Sequence, residues 1–413
     1  MWQRAVAKWA MIVGLAGLAS PVWAQAPGDP VPLVAPVQPA HLTRYPGYGP
    51  GGQSPPQGSA VFPQMLPGQA FPPAVMPPPY PPGYDPDAGG CEYWQSPECQ
   101  QAPLFYFAQV GWLGLKRQRL GHGAVAVVDP TGVDDGIFPG SGARLAADFH
   151  HLDPSLHGAI RAAIGVASDD VALEATGFYL PEQDTGINWV VPGRLTSFFF
   201  NIPLGFEGNN FLWDNADAIL LQLRTTMANG EINLRWSTGQ AGQGLELLIG
   251  ARYLDVQERL NLRTEDDTIA IGFDPALVAT YTSRVHNRLL GGQIGLASRA
   301  EILSWLGLAW ELKAGWFWNN VDYDVALVRG DGLLGREGGR SSDRFSHIYE
   351  AGLFLDAYRG VFRVRAGYQL MWLVGVAEAV DQIDFNLDHF RGAGRFNGSI
   401  LYHGPTVYLD ITF

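Results

Sequence analysis

Residues 361–372 read Val-Phe-Arg-Val-Arg-Ala-Gly-Tyr-Gln-Leu-Met-Trp, and this stretch decides the fold. Phe362, Val364, Ala366, Tyr368, Leu370 and Trp372 fall on one side of a two-residue period, and Val361, Arg363, Arg365, Gly367, Gln369 and Met371 on the other. A period of two is that of a β-strand, whose successive side chains point to opposite faces. Residues 231–236, Glu-Ile-Asn-Leu-Arg-Trp, repeat the pattern, with odd positions polar and even positions apolar. One face requires an apolar medium, and the other requires water or countercharge.

The same texture runs from Leu104 to Phe413 in aromatic- and Gly-rich segments separated by turns. Strands are expected near 104–116, 157–167, 171–180, 226–238, 244–262, 284–298, 305–325, 345–358, 361–374 and 399–413. The gaps between them alternate long and short, as in an up-and-down transmembrane barrel with long outward loops and short periplasmic turns. The expectation is an all-β, antiparallel, up-and-down barrel of ten strands. Twelve is the alternative, because residues 143–150 and 217–225 could also pair. An even count leaves both ends of the barrel on the periplasmic side.

The amino-terminal quarter has a different character. Arg4 and Lys8 precede an apolar stretch over residues 9–19 and a small-x-small site at 22–24, so residues 1–24 read as a secretory signal peptide. Pro21 cuts the run below the length of a membrane-spanning helix. Residues 25–90 carry 19 of the 30 prolines and no apolar periodicity, so they read as a disordered, polyproline-like linker reaching between envelope layers. Peptidoglycan or periplasmic proteins lie within its reach as partners. Residues 91–103 form a short segment with Cys91 and Cys99, which an oxidising periplasm would let close a small loop; two free thiols are the alternative. Residues 104–413 are the barrel.

The net charge of −13 comes with three lysines and no basic run, which argues against nucleic-acid binding. No motif calls for a cofactor. Strand parity places Arg161, Glu174, Glu231, Arg235, Glu246, Arg252, Glu311, Lys313, Arg363 and Arg365 away from lipid, where they can pair across strands. Trp112, Trp316, Trp318, Trp372 and Tyr408 are expected in interfacial aromatic girdles against membrane lipid. Phe413, with Val407, Leu409 and Ile411 on the same face, fits the terminal aromatic signal read by the outer-membrane insertion machinery.

Several segments carry a family resemblance: residues 230–236 (GEINLRW), 249–258 (IGARYLDVQE), 285–296 (VHNRLLGGQIGL), 367–369 (GYQ) and 381–384 (DQID). Together they resemble the planctomycete outer-membrane barrels known as the β-barrel porin-7 family. The resemblance implies location and architecture over most of residues 104–413, and leaves open what passes through. The chain departs from the family's look at 239–243, which lacks the Cys often found there, and in the long 181–226 connection.

For function, a barrel of ten strands lies near the size that side chains fill, well below the 16 to 18 of open channels. A diffusion pore and a structural or surface-binding barrel are therefore both open readings. A soluble secreted all-β binding protein is the alternative, since its dry core would alternate too. An outer-membrane hydrolase is the lesser one. Its candidates, His150, His151, Asp153 and His157 in the first loop and Asp388 with His389 in the last, show no nucleophile or second oriented group. Metal binding by these histidines lacks a regular ligand spacing. Acidic loop residues Asp134, Asp135, Glu265, Asp266, Asp267 and Asp331 do not form a regular calcium loop. Residues 239–244 and 330–339 are Gly-rich without a following Lys-Ser/Thr pair, and read as turns and loop tips rather than phosphate loops.

Overall fold

The computed structural model describes residues 104–129, 142–168, 170–206, 212–238, 244–266, 274–389 and 394–413. The signal-peptide, linker and cysteine readings over 1–103, including Cys91 and Cys99, lie outside the described residues.

Among the described residues twelve strands form: β1 (Phe105–Arg117), β2 (Ala124–Val128), β3 (Arg144–Asp148), β4 (His157–Ala167), β5 (Val171–Ser197), β6 (Ala216–Thr238), β7 (Gly244–Glu265), β8 (Val278–Leu303), β9 (Leu306–Arg329), β10 (Leu334–Arg359), β11 (Phe362–Val376) and β12 (Gly398–Thr412). Ten of them close a ring. β1 pairs antiparallel with both β4 and β12, β4 with β5, and each later strand with the next from β5 to β12. Where all ten strands run side by side, closure leaves no sheet edge, the condition a sheet must meet inside a bilayer.

β2 and β3 stand outside the ring, as a hairpin in the first long connection that leans on the far end of β5. The two segments behind the twelve-strand alternative thus have separate fates: residues 144–148 pair outside the barrel, and residues 217–225 are the first part of β6. The ends of β4, β6, β8 and β10, each followed within six residues by the start of the next strand, share one end of the barrel with Phe105 and Phe413, and the described connections there are 304–305 and 360–361. At the last of these, Gly360 holds φ +59°, a left-handed turn position that a side chain would strain. The loop-length rule of outer-membrane barrels makes this the end expected to face the periplasm.

β5 through β10 are 22 to 27 residues long, about twice what a tilted strand needs to cross a bilayer. The expected loops at 181–226 and after residue 325 are therefore largely strand. β5 runs to Ser197 across a bulge between Leu180 and Gln183, and β9 and β10 meet in a tight turn at Gly330–Leu333. Gly335, Gly338 and Gly339, read as a loop tip, lie in β10.

Along β6 to β10 the inward positions keep one parity, whereas on β5 the bulge after Leu180 shifts it from even to odd; on these strands the apolar face changes sides partway. On β9, Leu308, Leu312, Trp316 and Trp318 face outward and are exposed, and the next outward residues are Asn320, Asp322 and Asp324. Its inward residues run the other way, from Glu311 and Lys313 to Val321, Tyr323, Val325 and Leu327. β7 switches between Tyr253 and Asp255, β8 between Leu290 and Arg288, and β10 between Phe345 and Asp343.

These positions are neighbours. Tyr253, Leu290, Trp318 and Phe345 pair in series, and so do Asp255, Arg288, Asn320 and Asp343 one pleat further out. They draw a single boundary across four strands. Below it the exterior is apolar over 245–253 on β7 and 308–318 on β9, the 9 to 11 residues that span a hydrocarbon core. Above it the exterior is polar and the interior is a dry core, as in a soluble sheet.

Candidate functional site

The lumen below the boundary is the candidate site. It is built from inward-facing charges of nine ring strands, to which β1 adds Gln109. The structure places all ten sequence-derived lumen charges on the inward face and links them to four that the sequence reading did not single out: Arg299, Glu350, Asp356 and Asp410. Arg235 pairs with Glu174, Glu246 and Glu311 at 3.3, 3.4 and 3.1 Å. Lys313 pairs with Glu231 and Glu311 at 3.1 Å each and with Glu350 at 3.8 Å. Arg252, 1% exposed, reaches Glu350 at 2.6 Å and Glu231 at 3.6 Å, and its Nε donates to Asn229. Gln293 donates to both Glu231 and Asn233, completing the polar layer.

A second group lies toward β8, β11 and β12. Asp356 receives Arg299 and Arg365 at 3.1 and 2.7 Å, and Asp410 receives Arg363 at 3.1 Å and Gln109 at 2.7 Å. Tyr408 belongs here. The girdle assignment for Tyr408 is corrected: the residue is 2% exposed and points inward, where its ring lies 4.9 Å from the Arg161 guanidinium and its hydroxyl donates to Gln369. Its parity is opposite to that of Val407 and Leu409, so it cannot share their lipid-facing side. Trp112, Trp316, Trp318 and Trp372 do face outward and are exposed. Around these charges a cavity of about 460 Å³ reaches the short-turn end, rimmed by Phe105, Ala167, Ala172 and Thr412.

Above the boundary the lumen is occupied. The connection after β11 turns inward, burying Ala377, Ala379, Gln382, Ile383 and Leu387. Inward side chains of β8 hold it. Asn287 donates to the Ala377 carbonyl and accepts from the Ala377 amide, both at 2.9 Å, and Ser283 donates to the Ala379 carbonyl at 2.7 Å. The connection after β5 locks over it through backbone bonds between Phe200 and both Phe385 and Leu387. Phe199 packs against Trp213, Tyr281 and Phe385 with centroids 4.7 to 5.1 Å apart.

An ion triad fixes the near side of this insert. Arg117 of β1 pairs with Glu258 of β7 at 3.1 Å and with Glu378 at 2.8 Å, and Glu258 also accepts the Ala379 amide. Burial pushes the Glu378 carboxyl up to about 7; the Arg117 charge opposes this, while Glu258 and Asp381 add to it.

The sign of the resulting pH effect follows from proton binding. The docked insert holds this proton more tightly than a free loop at the ordinary 4.5, so docking is strongest below pH 4.5 and weakens as pH rises through 7. The span is on the order of 3 kcal/mol at most. Amide hydrogen exchange over 377–389, corrected for intrinsic rates, is expected to show less protection at pH 8 than at pH 5. Glu378→Gln should abolish that difference, and its persistence in the variant would assign the effect to another group.

The described histidines of the first connection make local contacts. His150 stacks on His122 at 4.2 Å, its backbone amide donates to Asp148, and His157 meets Ser155. Asp153 pairs with Lys116 at 3.1 Å and Arg119 at 2.9 Å, and their hydrogen bonds hold its carboxyl down at about 2. Among the described residues no three His, Cys, Asp or Glu side chains converge as metal ligands. Glu265 and Asp331 each pair with a neighbouring arginine.

A closed antiparallel ring with an apolar exterior belt and a charged interior is a transmembrane β-barrel of the outer-membrane class. The sequence matches the family described as "Putative beta barrel porin-7 (BBP7)" over residues 148–398, more than half of its length, and the chain belongs to that family. It is an integral, porin-like barrel protein of the outer membrane. No curated protein matches it.

Among solved structures, the Escherichia coli outer-membrane protease OmpT aligns at 11% identity and TM-score 0.35, covering 75% of this chain and 96% of its own. The Pseudomonas putida toluene transporter TodX aligns at 10% identity and TM-score 0.26, with coverages of 75% and 88%. The transport unit of the Escherichia coli autotransporter AIDA-I aligns at 7% identity and TM-score 0.21, with coverages of 78% and 94%. Scores this low carry no weight for function, whether protease or channel.

Proposed function

We propose that this protein is a barrel closed on its outer side, an anchored platform that presents a rigid outer surface and a periplasm-facing cup, rather than an open diffusion pore or an enzyme. The observation that carries this reading is the insert at 377–389. It lies inside a ring whose upper interior is already apolar, and side chains of β1, β7 and β8 bind it. Water entering a core lined by Val321, Tyr323, Val325 and Leu327 would find few polar partners.

Export through the signal peptide, insertion guided by the terminal strand ending in Phe413, and attachment of the proline-rich segment to peptidoglycan or periplasmic proteins complete the proposal. In support, β12 is a full ring strand, and Phe413 exchanges backbone hydrogen bonds with Tyr106 at 2.9 Å.

Planar-bilayer recording tests the closure. The wild-type protein is expected to give no stepwise conductance, and a variant with residues 380–396 replaced by a short Gly-Ser linker is expected to give steps. Steps of equal size in both proteins would overturn the reading.

A further inference from the structure

The lumen charges divide into two groups of opposite excess. In the first, the three cations Arg235, Arg252 and Lys313 share the five carboxylates Glu174, Glu231, Glu246, Glu311 and Glu350. In the second, Arg299, Arg363 and Arg365 share only Asp356 and Asp410. Arg161, the remaining cation, faces Glu174, Glu231 and Glu311 of the first group, which leaves that group one carboxylate in excess and the second group one cation in excess. It makes no ion pair among the described residues, its Nε has no hydrogen-bond partner there, and its one side-chain bond is a long 3.5 Å donation to the Tyr408 hydroxyl. The site is neutral as a whole and strongly dipolar within, and both groups line the same cavity of about 460 Å³.

We propose that this cavity binds a small zwitterion, an amino acid or short peptide, with its carboxylate on Arg161 and its ammonium against the wall of Glu174, Glu246 and Glu311. A free anion would satisfy the guanidinium but face a surplus of carboxylates, and a free cation meets the converse. A molecule carrying both charges answers both excesses, in a setting where wall charges are poorly screened.

The chemistry of each end agrees. A guanidinium can meet a carboxylate with two parallel donors, and the Tyr408 ring at 4.9 Å braces that of Arg161 from one side. Arg161 is half-buried, and the Glu246 side chain is 34% exposed, so both can meet a ligand from the short-turn end. The cavity volume is within the range of small-ligand sites. The site lies below the outer closure, so it stands whether or not the closure opens, and conductance by the wild-type protein would leave it untouched.

Calorimetric titration of the full-length protein in detergent with L-alanyl-L-alanine at low ionic strength tests the proposal. Saturable binding is expected, weakened about tenfold or more for the N-acetylated and for the amidated peptide, each lacking one charge. Arg161→Gln should weaken the free dipeptide by a similar factor, with heat-modifiable gel mobility showing that the variant still folds. Glu246→Gln, at the more exposed pole, should weaken the free dipeptide while leaving the N-acetylated one unchanged. No saturable binding up to about 10 mM, equal binding of all three peptides, or wild-type affinity in both variants would each overturn it.

Discussion

Lys313→Met is expected to destabilise the folded barrel by about 3–5 kcal/mol, the cost of leaving buried charge uncompensated. Lys313 is 3% exposed at the side chain and bridges Glu231, Glu311 and Glu350, drawing the inward faces of β6, β9 and β10 together. Methionine keeps an unbranched stem of nearly the same reach, one heavy atom shorter, and removes the charge. Arg252, Arg235 and Arg161 must then offset five carboxylates at the bottom of a low-dielectric ring. The effect would be read as a lowered urea midpoint for loss of heat-modifiable mobility in detergent. Adding Glu231→Gln should recover part of the loss, because it removes one of the stranded carboxylates. An unchanged midpoint in Lys313→Met would mean that water already screens this layer.

Leu312→Arg should be nearly as damaging, for the opposite reason. Leu312 is on the outward face of β9, inside the belt that ends at Trp318, and arginine at bilayer mid-depth costs about 2–4 kcal/mol. Ala326→Arg, on the same outward face but beyond the boundary, should change stability by no more than about 0.5 kcal/mol. The pair separates membrane depth from strand disruption, since both residues sit mid-strand with partners on either side. Folding yields into lipid vesicles would show it, and equal losses at the two sites would contradict the boundary.

The ring itself was legible in the sequence because alternation below the boundary is strict and its apolar face is large. Residues 362–372 and 231–236 carry that signal without help from tertiary contacts. Above the boundary the period persists, but the face that turns apolar is the inner one. Residues 183–191 alternate Gln183, Thr185, Ile187, Trp189 and Val191 inward against Asp184, Gly186, Asn188 and Val190 outward. With Pro181, Pro192 and two glycines nearby, that weaker pattern reads as loop.

Parity contained more than was drawn from it. Tyr408 shares its face with Asp410, not with Val407 and Leu409. Glu350 and Asp356 stand opposite the outward Leu353 and Leu355, so their inward direction was there to be read. Arg117, Glu258 and Glu378 are different. They are separated by more than 100 residues from one another; the closed ring brings Arg117 to Glu258, and the fold of the 377–389 insert brings Glu378 to Arg117.

Site-directed spin labelling along the outward face of β9, at positions 308, 312, 316, 318, 320, 322 and 324 in lipid vesicles, tests the central claim most directly. The structure predicts collision with oxygen but not with a water-soluble relaxing agent from 308 to 316, a crossover at 318–320, and full access to the water-soluble agent at 322 and 324. Water-soluble access along the whole series would contradict a membrane-spanning belt.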